Sequence, residues 1–186
     1  MILLEVWGPR ALFTRPDCAQ RVSYEVMTPS AARGIVEAIY YHPGLKWVID
    51  RIYVLRPIQF MTLDMPRGRL PVFEAAQVLR DVHYVIQAHF TMTPQAAKSD
   101  NPGKFQDIIR RRMERGQSFH APYFGYREFP AQFCRWRGGR IPAIPDTRDL
   151  GEMLYDFNYA APGGAQPVFF HAALRRGILE VPKLSL

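Results

Sequence analysis

Residues 28–44, Thr28-Pro29-Ser30-Ala31-Ala32-Arg33-Gly34-Ile35-Val36-Glu37-Ala38-Ile39-Tyr40-Tyr41-His42-Pro43-Gly44, carry both ends of one helix. Thr28 offers an N-cap oxygen, and Pro29 takes the first helical position, where its missing N–H would have no partner anyway. Ala31, Ala32, Ile35, Val36, Ala38 and Ile39 form an apolar stripe at helical spacing, and His42-Pro43-Gly44 stops it.

Strand signals lie on both sides. Upstream, Ile2–Trp7 is a first strand candidate closed by Gly8-Pro9, and Arg21–Met27 alternates with period two. Downstream, Trp47–Phe60 is β-branched, aromatic and apolar on both sides, a central strand with Pro57 marking a bulge or edge near its end. A connection, Met61–Pro71, leads into a short helix or turn around Glu74–Gln77. Asp81–Thr93 then alternates cleanly, Val82, Tyr84, Ile86, Ala88, Phe90 and Met92 against His83, Gln87, His89 and Thr91. Asn101-Pro102 repeats the cap-plus-proline device and opens a second helix that Gly116 closes. A strand over Tyr126–Trp136 follows, then one over Met153–Tyr159 and a hairpin, Val168–Leu174 with Ile178–Val181.

Through residue 136 the order is strand, helix, strand, strand, helix, strand. The expectation is an α+β fold: a ferredoxin-like (RRM-like) βαββαβ domain over 1–136, followed by a small antiparallel β-sheet domain over 137–186. The order suits RNA binding without proving it, since the same arrangement hosts unrelated functions.

The 186 residues, 48% apolar and 22% charged, exclude a disordered or collagen-like chain. Arg, Asp, Pro or His interrupts every apolar run before it reaches the length of a membrane span. The first residues lack the features of a signal peptide, so a soluble, cytoplasmic protein is expected. The net charge is +7, and of the 24 basic residues only Lys46, Lys98, Lys104 and Lys183 are lysines, leaving 20 arginines. A guanidinium pairs bidentately with phosphate and stacks on bases, which points to RNA or DNA as partner. Arginine-favouring codon usage in a GC-rich genome accounts for the same count.

The second helix is the most suggestive element. Lys104 stands in its first turn beside unpaired backbone N–H groups, an anion site in outline. Arg110, Arg111, Arg112 and Arg115 cluster further along, and Lys104, Ile108, Arg111 and Arg115 share one side. A solvated basic face gives the same pattern. Tyr40 and Tyr41 end the first helix beside His42, and His120 lies in a loop after the basic helix, where RNA contact or acid–base work is open to it. His83 and His89 read as sheet-face residues and His171 as structural. Cys18 and Cys134 lack metal-ligand spacing, and no P-loop, HExxH or GxSxG motif occurs, so no metal or other cofactor is expected.

The run Arg21–Tyr40 resembles the signature of the CRISPR-associated RAMP-superfamily processing subunit of type I-C systems. The blocks Leu79–Phe90, Asn101–Lys104, Arg111-Arg112, Gly116–Phe119 and Arg127–Ala131 fit it in the same order. The resemblance implies a metal-independent endoribonuclease that cuts precursor CRISPR RNA at the repeat hairpin. It also implies that the protein stays on the 5′ handle beside the backbone and large subunits of a Cascade complex. Its catalytic set matches Tyr40 and Lys104, with Phe105 where the family has His, so either His42 or His120 is the acid–base group that compensates, or the chain is a slow or inactive nuclease that still binds the 5′ handle. Arg33, Arg110, Arg111, Arg112, Arg115 and Arg127 are the expected RNA-binding residues. The segment Met61–Val78 is shorter than the family's arm and lacks its Arg-Asn-Glu signature. A cationic groove floored by the sheet and fed by the amino end of the second helix is the feature on which this reading rests.

Overall fold

The computed structural model describes residues 1–67, 72–159 and 164–184. Ten elements follow in order: β1 (Ile2–Ala11), α1 (Pro29–Ile39), β2 (Leu45–Val54), β3 (Phe60–Pro66), β4 (Phe73–Met92), α2 (Pro102–Arg115), β5 (Gln132–Arg135), β6 (Arg148–Asn158), β7 (Gln166–Arg175) and β8 (Ile178–Glu180). The sheet runs β5-β1-β4-β2-β8-β7-β6, with β3 paired to β4 off this path, and every ladder between these strands is antiparallel. β1 and β4 are central, β5 and β2 flank them, and the two helices connect β1 to β2 and β4 to β5, as the ferredoxin-like order requires. The residues after 136 supply β6, β7 and β8, an antiparallel unit that joins the edge of β2 through Ile52 opposite Leu179. Among the described residues no helix is long and apolar enough to cross a membrane.

Both helix starts form as their sequences dictate. Thr28 Oγ1 accepts from the Ala31 N–H, and Asn101 Oδ1 accepts from the Lys104 N–H at 2.9 Å. Gly116 closes α2 in the left-handed conformation, φ 63°, where a side chain would be strained. The apolar stripes of the helices, Ile35, Ile39, Phe105 and Ile109, meet Leu4, Ile52 and Ile86 of the sheet in one dry core. Burying each such side chain contributes about 1.5–3 kcal/mol.

Several strand expectations need correction. β1 runs on through Gly8-Pro9 to Ala11, because the Pro9 nitrogen is simply left out of the ladder to β4. Arg21–Met27 forms no strand. It holds single bridges from Ser23 to Thr14 and Val22 to Gln77, and both Ser23 and Tyr24 are buried, so its alternation does not produce two faces. Trp47–Phe60 splits at Pro57 into β2 and the start of β3. Phe60–Pro66 pairs with Phe73–Leu79, so the expected connection and the expected turn at Glu74–Gln77 are the two arms of a hairpin; residues 68–71 lie outside the described residues. The alternation of β4 slips at Leu79–Asp81, where Asp81 has φ 53°, and that slip hides a single 20-residue strand. The strand expected over Tyr126–Trp136 shortens to β5, because residues 123–130 close on themselves: the Phe124 N–H donates to the Phe129 carbonyl at 2.8 Å. Gly125, at φ 83°, anchors that loop so close to β1 that a Cβ would collide with the Leu12 carbonyl. β6 begins at Arg148, five residues before the expected Met153.

Replacing Asn101 by Ala removes the α2 cap and is expected to cost about 0.5–2 kcal/mol in equilibrium urea unfolding, against a few tenths for Asn101→Gly. Equal losses in the two variants would mean that the cap oxygen does not hold α2.

Candidate functional site

The carboxyl end of α1 and the amino end of α2 meet, and the expected site residues collect where they do. Tyr40 is the C-cap of α1, with extended backbone, and its ring is buried. Its carbonyl accepts the Trp47 Nε1–H at 2.9 Å. The ring lies 6.1 Å from Phe105 and 6.0 Å from Phe119, nearly parallel to the latter. The Arg112 guanidinium covers the Phe119 ring at 4.0 Å and the Tyr40 ring at 5.3 Å, and Arg112 Nη1 donates to the Ile39 carbonyl at 3.0 Å. Burial pushes the Tyr40 phenol above its ordinary value, with Arg112 and Lys104 pulling the other way. The phenol is therefore neutral through the physiological range, a proton donor rather than a phenolate.

Lys104 Nζ lies 2.9 Å from Asp100 Oδ1. Asp100 also accepts the Ala97 N–H at 3.0 Å, and Lys104 foremost holds its carboxyl below the usual range. His42 Nε2 faces the same carboxylate at 3.9 Å. The Gly44 N–H donates to His42 Nδ1 at 3.0 Å, so Nδ1 is the acceptor, while Nε2 lies beyond hydrogen-bond reach of Asp100. The Nδ1 lone pair is thus engaged in this arrangement. The ring rests 4.8 Å from Phe105, which is fully buried and also touches Phe90. Phe105 is a core residue on which Tyr40 and His42 sit.

The arginines divide. Arg111 and Arg115 project from the exposed side of α2 with no ion pair among the described residues, and Lys104 opens the same row. Arg110 is exposed but pairs with Asp107 at 3.2 Å. Arg33 is spent inside the fold, bonded to Asp156 of β6 and near Glu37. Arg127 and His120 line an open cleft of about 1440 Å³ between the outer face of α1 and the 119–130 loop, together with Tyr41, Phe119 and Tyr123.

The sheet does not provide the expected floor of that groove. The face opposite the helices pairs His83 with Glu5 and His89 with Asp50, both at 2.8 Å, and Arg51 with Glu180. The reading of His83 and His89 as sheet-face residues with hydrogen-bond partners agrees with this, and His171 likewise lies between Asp149 and Glu152. Burial, with Glu5 beside it, pushes the Cys134 thiol up to about 11, so it stays protonated. Asp100 and Phe119 went unassigned in the sequence. Asp100 had one legible signal, its place four residues before Lys104; nothing local marks Phe119 as the ring that would reach Tyr40 across 79 residues.

The sequence model of the CRISPR-associated protein (Cas_Cas5) family matches residues 1–182. A protein of Mannheimia succiniciproducens named CRISPR pre-crRNA endoribonuclease Cas5d is 38% identical over 214 residues, covering 97% of this chain and 94% of its own. A Thermus thermophilus protein of the same name is 38% identical over 209 residues, covering 96% and 90%. Among solved structures, a functionally uncharacterized Streptococcus mutans protein, SMU1763c, superposes with a TM-score of 0.80 at 25% identity, covering 98% of this chain and 92% of that one. A CRISPR-associated protein superposes with the same score at 26% identity, covering 98% and 91%. With a match over almost its whole length and these two relatives, the chain belongs to the Cas5 family of CRISPR-associated proteins, in its Cas5d, type I-C branch.

Proposed function

We propose that this protein is an endoribonuclease that cleaves precursor CRISPR RNA at the repeat hairpin. It then remains on the 5′ handle as a subunit of a type I-C Cascade complex. The observation that carries the reading is the junction of Tyr40 with Lys104, a neutral phenol and a helix-end ammonium beside an exposed row of cations. Both curated relatives bear the name of that activity.

The reaction is attack of a ribose 2′-OH on the adjacent phosphorus. The 2′-O–P bond forms, the P–O5′ bond breaks, and the products are a 2′,3′-cyclic phosphate and a 5′-OH. Lys104, released from Asp100 by the incoming phosphate, stabilises the extra negative charge of the phosphorane together with the positive end of the α2 dipole. Tyr40 donates a hydrogen bond or proton toward the departing 5′ oxygen, and solvent takes the 2′-OH proton. With Phe105 in place of His and the His42 Nδ1 lone pair taken by the Gly44 N–H, neither of these two positions supplies a base. Lacking such a group costs about two to four orders of magnitude in rate, so turnover is slow.

That same observation favours a second reading, a subunit that holds the 5′ handle without cutting. Salt-dependent binding of the hairpin with no product in a chelator-containing, single-turnover assay would select it.

Under the leading reading, the wild-type protein cuts its host's repeat hairpin in EDTA. Lys104→Ala is expected to lower the rate about 100- to 1000-fold while binding weakens far less; full activity in that variant would remove Lys104 from the mechanism. Tyr40→Phe keeps the ring stack and loses only the hydroxyl. Its expected rate loss is about 100-fold or more, with an unchanged unfolding midpoint, and a rate equal to wild type would show that the phenol transfers no proton.

A further inference from the structure

The cleft beside α1 has features that the cleavage reading leaves unused. Three of its rings stand in solvent: Tyr41 is 58% exposed, Phe119 52% and Tyr123 41%. Large aromatic rings are seldom left so open on one concavity without an occupant. The helix wall between them is low, because Gly34 presents no side chain and a Cβ added there would meet nothing within 4 Å. At about 1440 Å³, and open to solvent, the space exceeds the roughly 300–1,000 Å³ of a small-molecule pocket and suits a segment of polymer.

Charge selects the polymer. Arg127 is an exposed cation on the cleft wall, and Arg112 lies directly over Phe119. The carboxylate that lines the cleft, Glu37, faces Arg33, and burial raises its pKa so that its charge is held less firmly. The cleft is also continuous with the junction already described, because Phe119 belongs to both: it lines the cleft and stacks against Tyr40. Its loop is fixed to α1 by the Phe119 N–H, which donates to the Ala38 carbonyl at 2.8 Å. Exposed rings beside cations, running away from a phosphate-handling site, are how unpaired nucleic acid is held: bases stack and the backbone tracks the positive charge.

We propose that the cleft between α1 and the 119–130 loop binds unpaired ribonucleotides next to the scissile phosphate, with bases stacked on Tyr41, Phe119 and Tyr123 and the backbone drawn to Arg127. The inference rests on the RNA-processing reading, since it supplies that RNA's single-stranded part with a seat. The duplex stem, whose bases are already stacked, has no use for these rings.

The test compares two RNAs on the full-length protein, the repeat hairpin with its unpaired flanks and the same hairpin with blunt ends. Tyr41→Leu and Tyr123→Leu are each expected to weaken binding of the flanked RNA about 5- to 150-fold and to leave the blunt hairpin unchanged. Tyr41→Phe and Tyr123→Phe, which keep a stacking face, stay within about twofold of wild type on both. Wild-type affinity of the Leu variants for the flanked RNA, or an equal loss on both RNAs, overturns the cleft assignment and leaves the cleavage reading standing. Failure of the wild-type protein to bind either RNA overturns both.

Discussion

The last turn of α1 ends without a glycine, and its carbonyls are satisfied from outside the helix. The Ala38 carbonyl accepts the Phe119 N–H, the Ile39 carbonyl accepts Arg112, and the Tyr40 carbonyl accepts Trp47. A helix end leaves such groups orphaned and slightly negative, so donors and a cation are what it demands. Meeting that demand brings together a loop, the second helix and the second strand at one point. The guanidinium of Arg112 does most: one edge caps α1 while its face covers Phe119 and Tyr40. Tyr40 is thereby held by backbone and ring together, with its carbonyl bonded to Trp47 and its ring between Phe105, Phe119 and Arg112.

Lys104 is governed by the opposite constraint. An ammonium in the first turn of a helix sits at the positive end of the dipole, which destabilises it. Asp100 offsets this from just outside the helix, and its own charge is secured by the Ala97 N–H. The arrangement stores a cation at the positive end of the α2 dipole, with the Asp100 carboxylate as its counter-charge. Under the cleavage reading, a phosphate reaching that place replaces Asp100 as the counter-charge and meets the helix dipole as well, so the field it needs is assembled before it arrives.

Helix ends were the most legible part of the sequence, because cap and proline chemistry acts within four residues. Thr28-Pro29 and Asn101-Pro102 became helix starts as written, and Tyr40 and Lys104 inherited their positions from them. Strands were legible only where the period of two held. It slipped in β4 at Asp81, and a 20-residue strand read as a turn plus a shorter strand. Arg21–Met27 failed in the other direction: its alternation was real, but its backbone divides its hydrogen bonds between Phe13 and Gln77 and forms only single bridges. Arginine identity alone gave no way to separate Arg111, which has no ion pair among the described residues, from Arg33, whose partner Asp156 lies 123 positions away. Long-range pairing decides which cations remain available, and no local pattern encodes it.

The strand–helix order shared with RNA-recognition modules invites the assumption that RNA would lie on the open face of the sheet, where such modules expose stacking rings. Here that face is occupied by internal pairs: Glu5 with His83, Asp50 with His89, and Tyr53 with Gln87. A strand of RNA laid there would meet carboxylates and would have to break hydrogen bonds that the sheet already makes, with like charges added to the cost. On the helix side, Arg111 and Arg115, which have no ion pair among the described residues, stand on the exposed side of α2, and bared rings line the cleft beside α1. The two faces of one sheet thus differ in what they offer an anion, and the difference follows from which residues of each strand point away from the core. The cleavage reading accordingly runs the RNA along the helices, with the sheet acting as the frame that sets α1 against α2.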